Sequence, residues 1–456
     1  MIHKFEQKGY HIVLDVNSGA VHVADKLLFL LLDYVKPPLF ELPEEARENL
    51  DGYTEEEIRE ALREILELYR LGQLFSPDDY GVYAENMILS PIKAMCLNVS
   101  HDCNLRCEYC FAGKGDYEQG RAVMDAETGK AAIDFLIGHS KDRQNLEVDF
   151  FGGEPLLNFD VVREVVAYAR SKEKEHGKRF RFTVTTNGLL LDDDKTDYIN
   201  AEMENVVLSL DGRRDVNDRV RQRVNGSGSY DAVLPKFQKL VSKRGGKDYY
   251  VRGTFTKYNM DFSADVEALS RLGFDQISME PVVAPPDMPY ALSDRDLPRI
   301  FDEYEKLGSM LVNAKRAGEG YNFFHFMLDL DQGPCVIKRL RGCGCGNEYV
   351  AVTPDGGIYP CHQFIGHDGW RMGSVHDGSL DTEMKEMFSK ISVYQKDECR
   401  TCWAKFYCSG GCSANNMCCE GDVRKPVKLT CDLEKKRVEC AITMKAELME
   451  DSPIVV

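Results

Sequence analysis

The sequence lacks the features that would place it in a membrane or on a nucleic acid. No apolar run approaches the roughly 20 residues that a membrane-spanning helix needs. The opening stretch, MIHKFEQKGYHIVLD, holds no apolar core as long as that of a signal peptide. Acidic residues outnumber basic ones, 75 to 57, and the resulting net charge of -18 argues against a phosphate backbone or an anionic membrane as a partner. We therefore expect a cytoplasmic protein.

Tandem repeats and low-complexity tracts are also missing, so neither a solenoid nor a disordered chain is expected. With 456 residues, 43% of them apolar, the chain can form two or three domains with ordinary cores. Cysteine is absent between Cys110 and Cys335, yet the chain contains 16 cysteines. They form one group near residue 105 and another from 335 to 440. In a reducing compartment, such grouping favours metal binding over disulfides or scattered burial.

The first 85 residues predict a small winged-helix-like module. Two alternating apolar runs flank the sequence NSG, which is the pattern of a β-hairpin. Thr54 and Glu57 form a capping-box pattern at the start of an amphipathic helix, and Gly72 ends that helix. A plain capping or dimerisation domain is the alternative for this segment.

Six short apolar strands alternate with amphipathic helices between residues 90 and 310. The strands are KAMCLNVS, LEVDFFG, RFTVTTNG, NVVLSLDG, YYVRGTFT and FDQISMEP. Strand–helix units of roughly 35 residues predict an α/β fold with a parallel sheet curved into a partial (β/α)6 barrel. The carboxyl ends of such strands build the active site. From 335 to 445, glycine, cysteine and turn residues replace the periodicity, so we expect a domain stabilised by metal or clusters.

Three cysteines follow the first barrel strand, at the predicted mouth of the barrel. They are Cys103, Cys107 and Cys110 of the sequence CNLRCEYC. A structural zinc ion normally takes four ligands, and no fourth cysteine or histidine is obviously local. A [4Fe–4S] cluster on three thiolates leaves one iron free, and the amino and carboxylate groups of S-adenosylmethionine (SAM) can bind it. The spacing, with Tyr109 before the last cysteine, resembles the radical SAM signature; a zinc loop is the alternative.

Further turns resemble the radical SAM family in strand order. GGEP ends the second strand, where the family binds the methionine amine, although the same residues could simply form a turn before a helix. TTNG and SLDG match turns that contact SAM, and Arg221 matches the position for its carboxylate. Asn217 and Asp218 stand where the family often has a His-Asp pair, which is a departure. The SAM-contacting residues that this resemblance implies are Tyr109, Gly152, Gly153, Glu154, Thr186, Asn187, Ser209, Asp211 and Arg221.

The second cysteine group resembles the SPASM domain, the C-terminal extension of radical SAM peptide maturases that holds two auxiliary [4Fe–4S] clusters. Four consecutive spacings agree with that domain, and zinc-ribbon spacings do not. With the barrel cluster, the resemblance implies three [4Fe–4S] clusters. The outer auxiliary cluster would be bound by Cys399, Cys402, Cys408 and Cys431.

The inner auxiliary cluster is implied to take Cys361, Cys412 and one upstream cysteine. Cys343 is the preferred upstream ligand and Cys345 the alternative. Cys335 could supply a fourth ligand, or an open iron could bind a substrate thiolate. The remaining cysteines are expected to be free buried thiols, namely Cys96, Cys418, Cys419 and Cys440.

The residue after Cys361 bears on the reaction. Sulfatase-maturing relatives carry an acidic base at this position, and this chain has His362. Histidine can take a proton near neutral pH, so His362 is the candidate catalytic residue, with a supporting role next to the cluster as the alternative. The change argues against formylglycine formation.

From MIHKF and IVLDVNSGAVHV to GNEYVAVTPDGGIYPCHQFIG, the whole chain resembles the thioether-forming maturases of SCIFF peptides. This implies that the N-terminal module binds the leader of a ribosomal precursor peptide as an added strand. A low-potential donor would feed the barrel cluster, and the deoxyadenosyl radical would abstract hydrogen from the α-carbon of a threonine. A cysteine sulfur would join that carbon, and an auxiliary cluster would take the surplus electron.

Two alternatives stay open at this point. The first is another radical SAM maturase reaction, namely a carbon–carbon link, a β- or γ-carbon thioether, epimerisation or sulfatase maturation. The second is a protein without catalysis, either an iron–sulfur electron-transfer protein or a zinc scaffold.

Overall fold

The computed structural model describes residues 1–38, 42–85, 89–330 and 339–450. Within these ranges, no helix combines the length and apolarity that crossing a membrane requires. The N-terminal part is a three-stranded antiparallel sheet followed by short helices. Its elements are β1 Ile2–Gln7, β2 Tyr10–Asp15, β3 Val21–Ala24, α1 Lys26–Leu31, α2 Glu44–Asn49, α3 Glu55–Arg70 and α4 Gly81–Glu85.

The predicted hairpin is confirmed as β2 and β3, and β1 is an additional strand on the other side of β2. The capping box is confirmed as well, because the Thr54 hydroxyl accepts from the Glu57 amide and the Glu57 carboxylate accepts from the Thr54 amide. The helix ends just before Gly72, whose φ of 69° lies in the left-handed region.

Fourteen further strands occur in the described residues. They are β4 Ala94–His101, β5 Leu105–Cys107, β6 Ala122–Val123, β7 Asn145–Gly152, β8 Arg179–Thr186, β9 Asn205–Ser209, β10 Arg221–Arg223, β11 Asp248–Phe255, β12 Gln276–Pro281, β13 Asn322–Phe323, β14 Tyr349–Val352, β15 Gly357–Tyr359, β16 Gly373–Ser374 and β17 Ser379–Leu380. The helices that follow α4 are α5 Ala126–His139, α6 Phe159–His176, α7 Asp193–Glu202, α8 Arg214–Val220, α9 Tyr230–Ser242, α10 Phe262–Arg271, α11 Leu297–Arg316, α12 Thr382–Ser389, α13 Asp397–Arg400, α14 Lys405–Cys408, α15 Ser413–Glu420 and α16 Lys428–Glu450.

All six predicted barrel strands are confirmed, and they pair in parallel in the order β4-β7-β8-β9-β11-β12. Burial alternates along the strands because one face packs against helices and the other faces the barrel interior. In β7, Val148 and Phe150 are fully buried in the core between sheet and helices, while Asp149 and Phe151 lie on the opposite face. The fold is the expected α/β partial barrel.

The Cys-rich segment continues the barrel sheet. Strand β14 pairs in parallel with β4, from Tyr349 opposite Ala94 to Val352 opposite Leu97. Strands β15 to β17 then add in antiparallel fashion. The inner cysteine set is therefore held at a fixed position beside the barrel strand that leads into Cys103.

The last helix ties the N-terminal sheet to the rest of the molecule. On α16, Glu439 binds His3 of β1, with 3.0 Å between the Oε1 and Nε2 atoms. The His3 ring also stacks on Trp403 at a centroid distance of 3.7 Å. Residues Ile12 and Leu14 of β2 share a buried apolar cluster with Cys399, Phe406, Tyr407, Val438 and Ile442. We call this cluster the shared core.

Candidate active site

The Cys103–Cys110 loop leaves the carboxyl end of β4, where the sequence predicts it. All eight residues of β4 are buried, so the loop begins on a strand that is covered on both faces. The loop then forms β5, which pairs with β10 so that Cys107 lies directly opposite Arg221. This two-stranded ribbon brings the predicted cluster loop and the predicted carboxylate-binding arginine together.

A buried polar network surrounds Arg221. Its Nε atom lies 3.0 Å from Oδ2 of Asp211, and its Nη1 lies 3.9 Å from the Cys107 sulfur. The Tyr109 hydroxyl donates to the same Asp211 oxygen at 2.6 Å. The second oxygen of Asp211 accepts from the Thr254 amide at 3.0 Å. Three residues that sequence comparison assigned separately to SAM thus form one connected unit.

The GGEP turn lies against the start of the cysteine loop. The Gly153 amide donates to the Ser100 carbonyl, and the Glu154 amide donates to the Asp102 carbonyl, at 2.7 and 2.9 Å. A side chain at position 153 would place its Cβ only 2.2 Å from that Asp102 oxygen. A Cβ at position 152 would lie 2.3 Å from the Ser100 carbonyl oxygen, and Gly152 has a φ of 126°. These glycines are required because two backbones approach each other closely.

Glu154 joins the ends of two barrel strands. Its carboxylate accepts from the Thr186 hydroxyl at 2.7 Å, from the Asn187 amide at 2.8 Å and from the Leu156 amide at 3.1 Å. Burial raises its pKa to about 7, against the effect of these three donors. The side chain therefore fixes the TTNG turn relative to the GGEP turn.

Asn187 connects the TTNG turn to the cysteine loop. Its side-chain amide donates to Oδ1 of Asn104 at 2.8 Å and lies 3.7 Å from the Cys103 sulfur. Ser209 ends β9, where it is half-buried and pairs with Arg252 of β11. All nine residues predicted to contact SAM therefore lie at the carboxyl ends of β7, β8 and β9 or in the β5–β10 ribbon and its loop.

Burial disfavours free thiolates in the cysteine loop, so a thiolate there needs a compensating positive charge such as that of bound iron. Burial raises the pKa of Cys103 and that of Cys107 to about 12, so without metal both would be protonated at neutral pH. The Arg221 charge acts in the opposite sense on Cys107 and favours its thiolate. Thiolates are the ligands that iron–sulfur clusters take. In the described ranges, no three Cys, His, Asp or Glu side chains converge as around a single metal ion.

The predicted outer set also comes together in space. Burial and the neighbouring thiols of Cys431 and Cys399 raise the pKa of Cys408 to about 11. Burial and the neighbouring thiol of Cys402 likewise raise the pKa of Cys431. The ammonium of Lys396 lies within reach of the set and donates to the Gly410 carbonyl at 2.6 Å. The thiols that act on Lys396 are Cys399, Cys408, Cys412 and Cys431, which include three of the four predicted outer ligands.

Both candidate upstream cysteines, Cys343 and Cys345, lie close enough to Cys361 to interact with it. The Cys345 thiol donates a hydrogen bond to the Cys361 sulfur, which lowers the pKa of Cys361 and raises that of Cys345. Cys343 and Cys412 interact with Cys361 as well. Gly344, with a φ of 76°, turns the chain so that the cysteines on both of its sides face this site. Cys335 lies outside the described residues.

His362 lies between the cysteine loop and the inner set. Its ring stacks on Phe151 at 4.9 Å and lies 5.2 Å from Phe111, and its Nδ1 is 3.3 Å from the Tyr349 hydroxyl. Burial, followed by the charge of Arg252, lowers its pKa to about 4. The imidazole is therefore neutral at physiological pH and is a weaker base than an ordinary histidine.

One expectation about the remaining cysteines is wrong. Cys96 and Cys440 are buried free thiols, as expected, but Cys418 is exposed and Cys419 is only partly buried. Both lie on α15, a short helix that buries only Ala414 and Asn416. Sequence reasoning also missed Tyr349, which lies on β14 beside the first barrel strand, because the parallel pairing of β14 with β4 has no local sequence signal.

Comparison with known proteins gives two family matches. A model of the radical SAM superfamily matches residues 97–260, and a model of the SPASM iron–sulfur cluster-binding domain matches residues 343–403. Among curated proteins, the cysteine-type anaerobic sulfatase-maturating enzyme of Clostridium novyi (strain NT) is 23% identical over 69% of this chain and 86% of its own length.

Two solved structures share the fold. The structure of anSMEcpe with bound AdoMet and the Cp18Cys peptide has a TM-score of 0.65 and 19% identity, covering 79% of this chain and 99% of that chain. Streptococcus suis SuiB bound to the precursor peptide SuiA has a TM-score of 0.52 and 17% identity, covering 93% of this chain and 97% of that chain. About one fifth of this chain has no counterpart in anSMEcpe.

The two family models fall on the barrel and on the Cys-rich extension. Together they imply SAM and [4Fe–4S] clusters as cofactors, and the three thiol sets have the chemistry that such clusters need. The barrel of this chain therefore matches the radical SAM superfamily, and its Cys-rich extension matches the SPASM iron–sulfur cluster-binding domain.

Proposed function

We propose that this enzyme is a peptide maturase that forms thioethers between cysteine sulfurs and threonine α-carbons within a ribosomal Cys-rich precursor. The observation that carries the peptide substrate is the N-terminal module, which is fixed to the SPASM domain and keeps one sheet edge open. Both solved structures described above hold a peptide. The identities of the acceptor and the bond come from the whole-chain resemblance to SCIFF maturases.

The open edge of the N-terminal sheet supports leader binding. In the order β1-β2-β3, the β1 edge faces α16 and Trp403, whereas β3 has no further strand partner among the described residues. Beside β3 runs an apolar groove towards α3, lined by Val13, Val21, Leu28, Leu68 and Leu74. A leader peptide could add to β3 through backbone hydrogen bonds and place alternate side chains in this groove.

The roles of the barrel residues follow from their positions. We assign Cys103, Cys107 and Cys110 to the cluster that binds SAM, with Arg221 directed towards the SAM carboxylate. The GGEP backbone would bind the methionine amine, and Asn187 and Ser209 would also contact SAM. When bound, these cofactors supply a 5′-deoxyadenosyl radical that removes one hydrogen atom from the peptide.

The inner and outer sets are assigned to electron removal. Forming a carbon–sulfur bond from a carbon radical and a thiolate leaves one electron in excess, which must pass to an acceptor. The pairing of β14 with β4 and of β15 with β14 supports this assignment for the inner set, because Cys361 follows β15 on the sheet that the barrel strands form. We assign His362, neutral and stacked against Phe151, a supporting role next to the inner set, because its lowered pKa makes it a poor acceptor for a thiol proton.

Sulfatase maturation is the second candidate, because a curated sulfatase-maturating enzyme matches most of the chain. A direct assay separates the two. The enzyme is reconstituted anaerobically and given SAM, a reductant and a Cys-rich precursor peptide encoded beside its gene. We expect each cross-link to remove two hydrogen atoms and one free thiol, with fragmentation showing a sulfur on a threonine α-carbon.

A sulfatase-derived peptide with the target cysteine is the matched control substrate. Conversion of that cysteine to formylglycine, with an unchanged precursor peptide, would show that sulfatase maturation is the activity. A variant with Cys103, Cys107 and Cys110 changed to alanine controls for chemistry that does not need the barrel cluster.

A further inference from the structure

Arg252 and Glu280 form an ion pair inside the barrel that none of the roles above uses. They lie on the adjacent strands β11 and β12. Arg252 pairs in register with Ser278, so Glu280, two residues further along, points to the same face of the sheet. The Nη2 atom of Arg252 lies 3.7 Å from Oε1 of Glu280, and the two side chains are 51% and 35% exposed. The pair therefore faces open space.

The hydrogen-bonding groups of this pair are not saturated. At 3.7 Å the contact is an ion pair without a hydrogen bond, and the Arg252 guanidinium has no hydrogen-bond partner in the described part of the chain. Arg213, which also follows a barrel strand, is different. It donates to Asp265 at 2.7 Å and to both oxygens of Asp261 at 2.9 Å. Arg252 keeps its donors available for a ligand.

The pair has a connection to each of the two places where the reaction needs groups to meet. Arg252 is the register partner of Ser209, which ends β9 at the proposed SAM site. Across the interior, the Arg252 charge acts on His362, next to Cys361 of the inner set. A substrate segment that extends from the SAM site towards the inner set would pass the Arg252–Glu280 pair.

We propose that Arg252 and Glu280 clamp the backbone of the peptide substrate beside the residue that reacts. A peptide unit offers one carbonyl acceptor and one N–H donor, which match the guanidinium and the carboxylate respectively. Because the pair has no net charge, it selects no charged side chain and can hold different positions of one peptide in turn. This inference rests on the proposed function, since it requires a peptide in the barrel.

The test compares Arg252→Ala, Arg252→Lys and Glu280→Gln with wild type. Each protein receives SAM, reductant and the precursor peptide, and the ratio of cross-linked peptide to 5′-deoxyadenosine is measured. We expect Arg252→Ala to lower this ratio by about 10- to 100-fold, the effect of losing a charge-assisted hydrogen bond. Arg252→Lys should lower the ratio less than Arg252→Ala does, because lysine keeps the positive charge. The affinity for a labelled leader peptide should stay as in wild type, because the leader binds at β3.

Arg181→Gln is the matched control. Arg181 lies nearer the amino end of β8, where it makes an equivalent cross-strand pair with Glu147 at 4.0 Å and is 49% exposed. The inference is overturned if Arg181→Gln lowers the ratio as much as Arg252→Ala does, or if Arg252→Ala leaves it unchanged. The inference is also overturned if Arg252→Ala no longer forms 5′-deoxyadenosine in an assay that contains no peptide, because Arg252 would then act on SAM rather than on the substrate. A wild-type enzyme that cleaves SAM but never alters the peptide would instead refute the proposed function.

Discussion

At the scale of single residues, the least expected feature is how far the predicted SAM contacts depend on one another. Asp211 is fully buried. Its carboxylate forms an ion pair with Arg221 and accepts hydrogen bonds from the Tyr109 hydroxyl and the Thr254 amide. A buried carboxylate in this position is stable only while its arginine is present. The conformation of the β5–β10 ribbon, and with it the position of Cys107, therefore depends on one ion pair.

Arg221→Gln should destabilise the protein by about 3 kcal/mol, because it leaves the Asp211 charge buried and unpaired. Urea unfolding under anaerobic conditions measures this loss, and iron content shows whether the cysteine loop keeps its cluster. The double variant Arg221→Gln/Asp211→Asn should regain part of the stability, since the orphan charge is gone. A double variant that is no more stable than the single one would show that the charge is not the cause.

His325 should make the protein sensitive to acid. Burial first, and the nearby Arg437 charge second, lower its pKa to about 3, whereas an unfolded histidine titrates near 6.5. The unfolded state therefore binds the proton more tightly, and the stabilising contribution present above pH 6.5 is lost as the pH falls towards 3. The slope is at most about 1.4 kcal/mol per pH unit.

His325→Gln should flatten the unfolding free energy over this pH range, as measured by chemical denaturation at several pH values. His176→Gln is the control, because His176 lies at the exposed end of α6. Equal slopes in wild type and His325→Gln would contradict the assignment.

At the scale of helices and strands, the local pattern of apolar residues was enough to predict the six barrel strands and the hairpin. The alternation in LEVDFFG or RFTVTTNG is a local signal, since one strand face packs on helices and the other faces inward. Pairing between distant segments has no such signal. The pairing of β14 with β4 and the β5–β10 ribbon are therefore visible only in the structure.

The same division applies to the site. Cysteine spacing predicts a barrel, an inner and an outer set, because the spacing limits which thiols one loop can present, and this division stays a prediction. It could not show that Cys345 reaches Cys361, which depends on the turn at Gly344. Arg252 was missed because a charged residue on a strand face is ordinary until its neighbours are known.

The groove between β3 and α3 gives the prediction at this scale. Leu68→Asp should weaken binding of a fluorescently labelled leader peptide by at least about tenfold, because an apolar side chain of the leader would meet a buried carboxylate. Leu71→Asp is the matched control, since Leu71 is 63% exposed just past the end of α3 and does not line the groove. Fluorescence anisotropy gives both affinities. Equal affinities in the two variants would place the leader elsewhere.

At the scale of the whole molecule, the N-terminal module and the outer cysteine set are one packing unit. Leu14 of β2 and Cys399 belong to the shared core, and Gln7 donates to the Cys440 sulfur at 3.4 Å. A separate core, which includes Leu31 and Ile65, holds the module together internally. Binding at β3 and the environment of the outer set are thus connected through a single sheet.

Leu14→Ala and Leu31→Ala test this connection with the same change in two cores. Both leucines are fully buried, so each substitution should cost about 2–5 kcal/mol. Only Leu14→Ala should also increase hydrogen exchange in residues 399–408 and lower the iron content of the reconstituted protein. The same iron loss in both variants would mean that the outer set responds to general destabilisation only.

The pairing of β14 with β4 also affects how the chain folds during synthesis. The edge of β4 at Ala94–Leu97 has its partner only when Tyr349–Val352 leave the ribosome. At about 5–20 residues per second, synthesis leaves that apolar edge open for tens of seconds. Such an edge can pair with other nascent chains, so slower expression at low temperature, with chaperones present, should raise the yield of soluble protein.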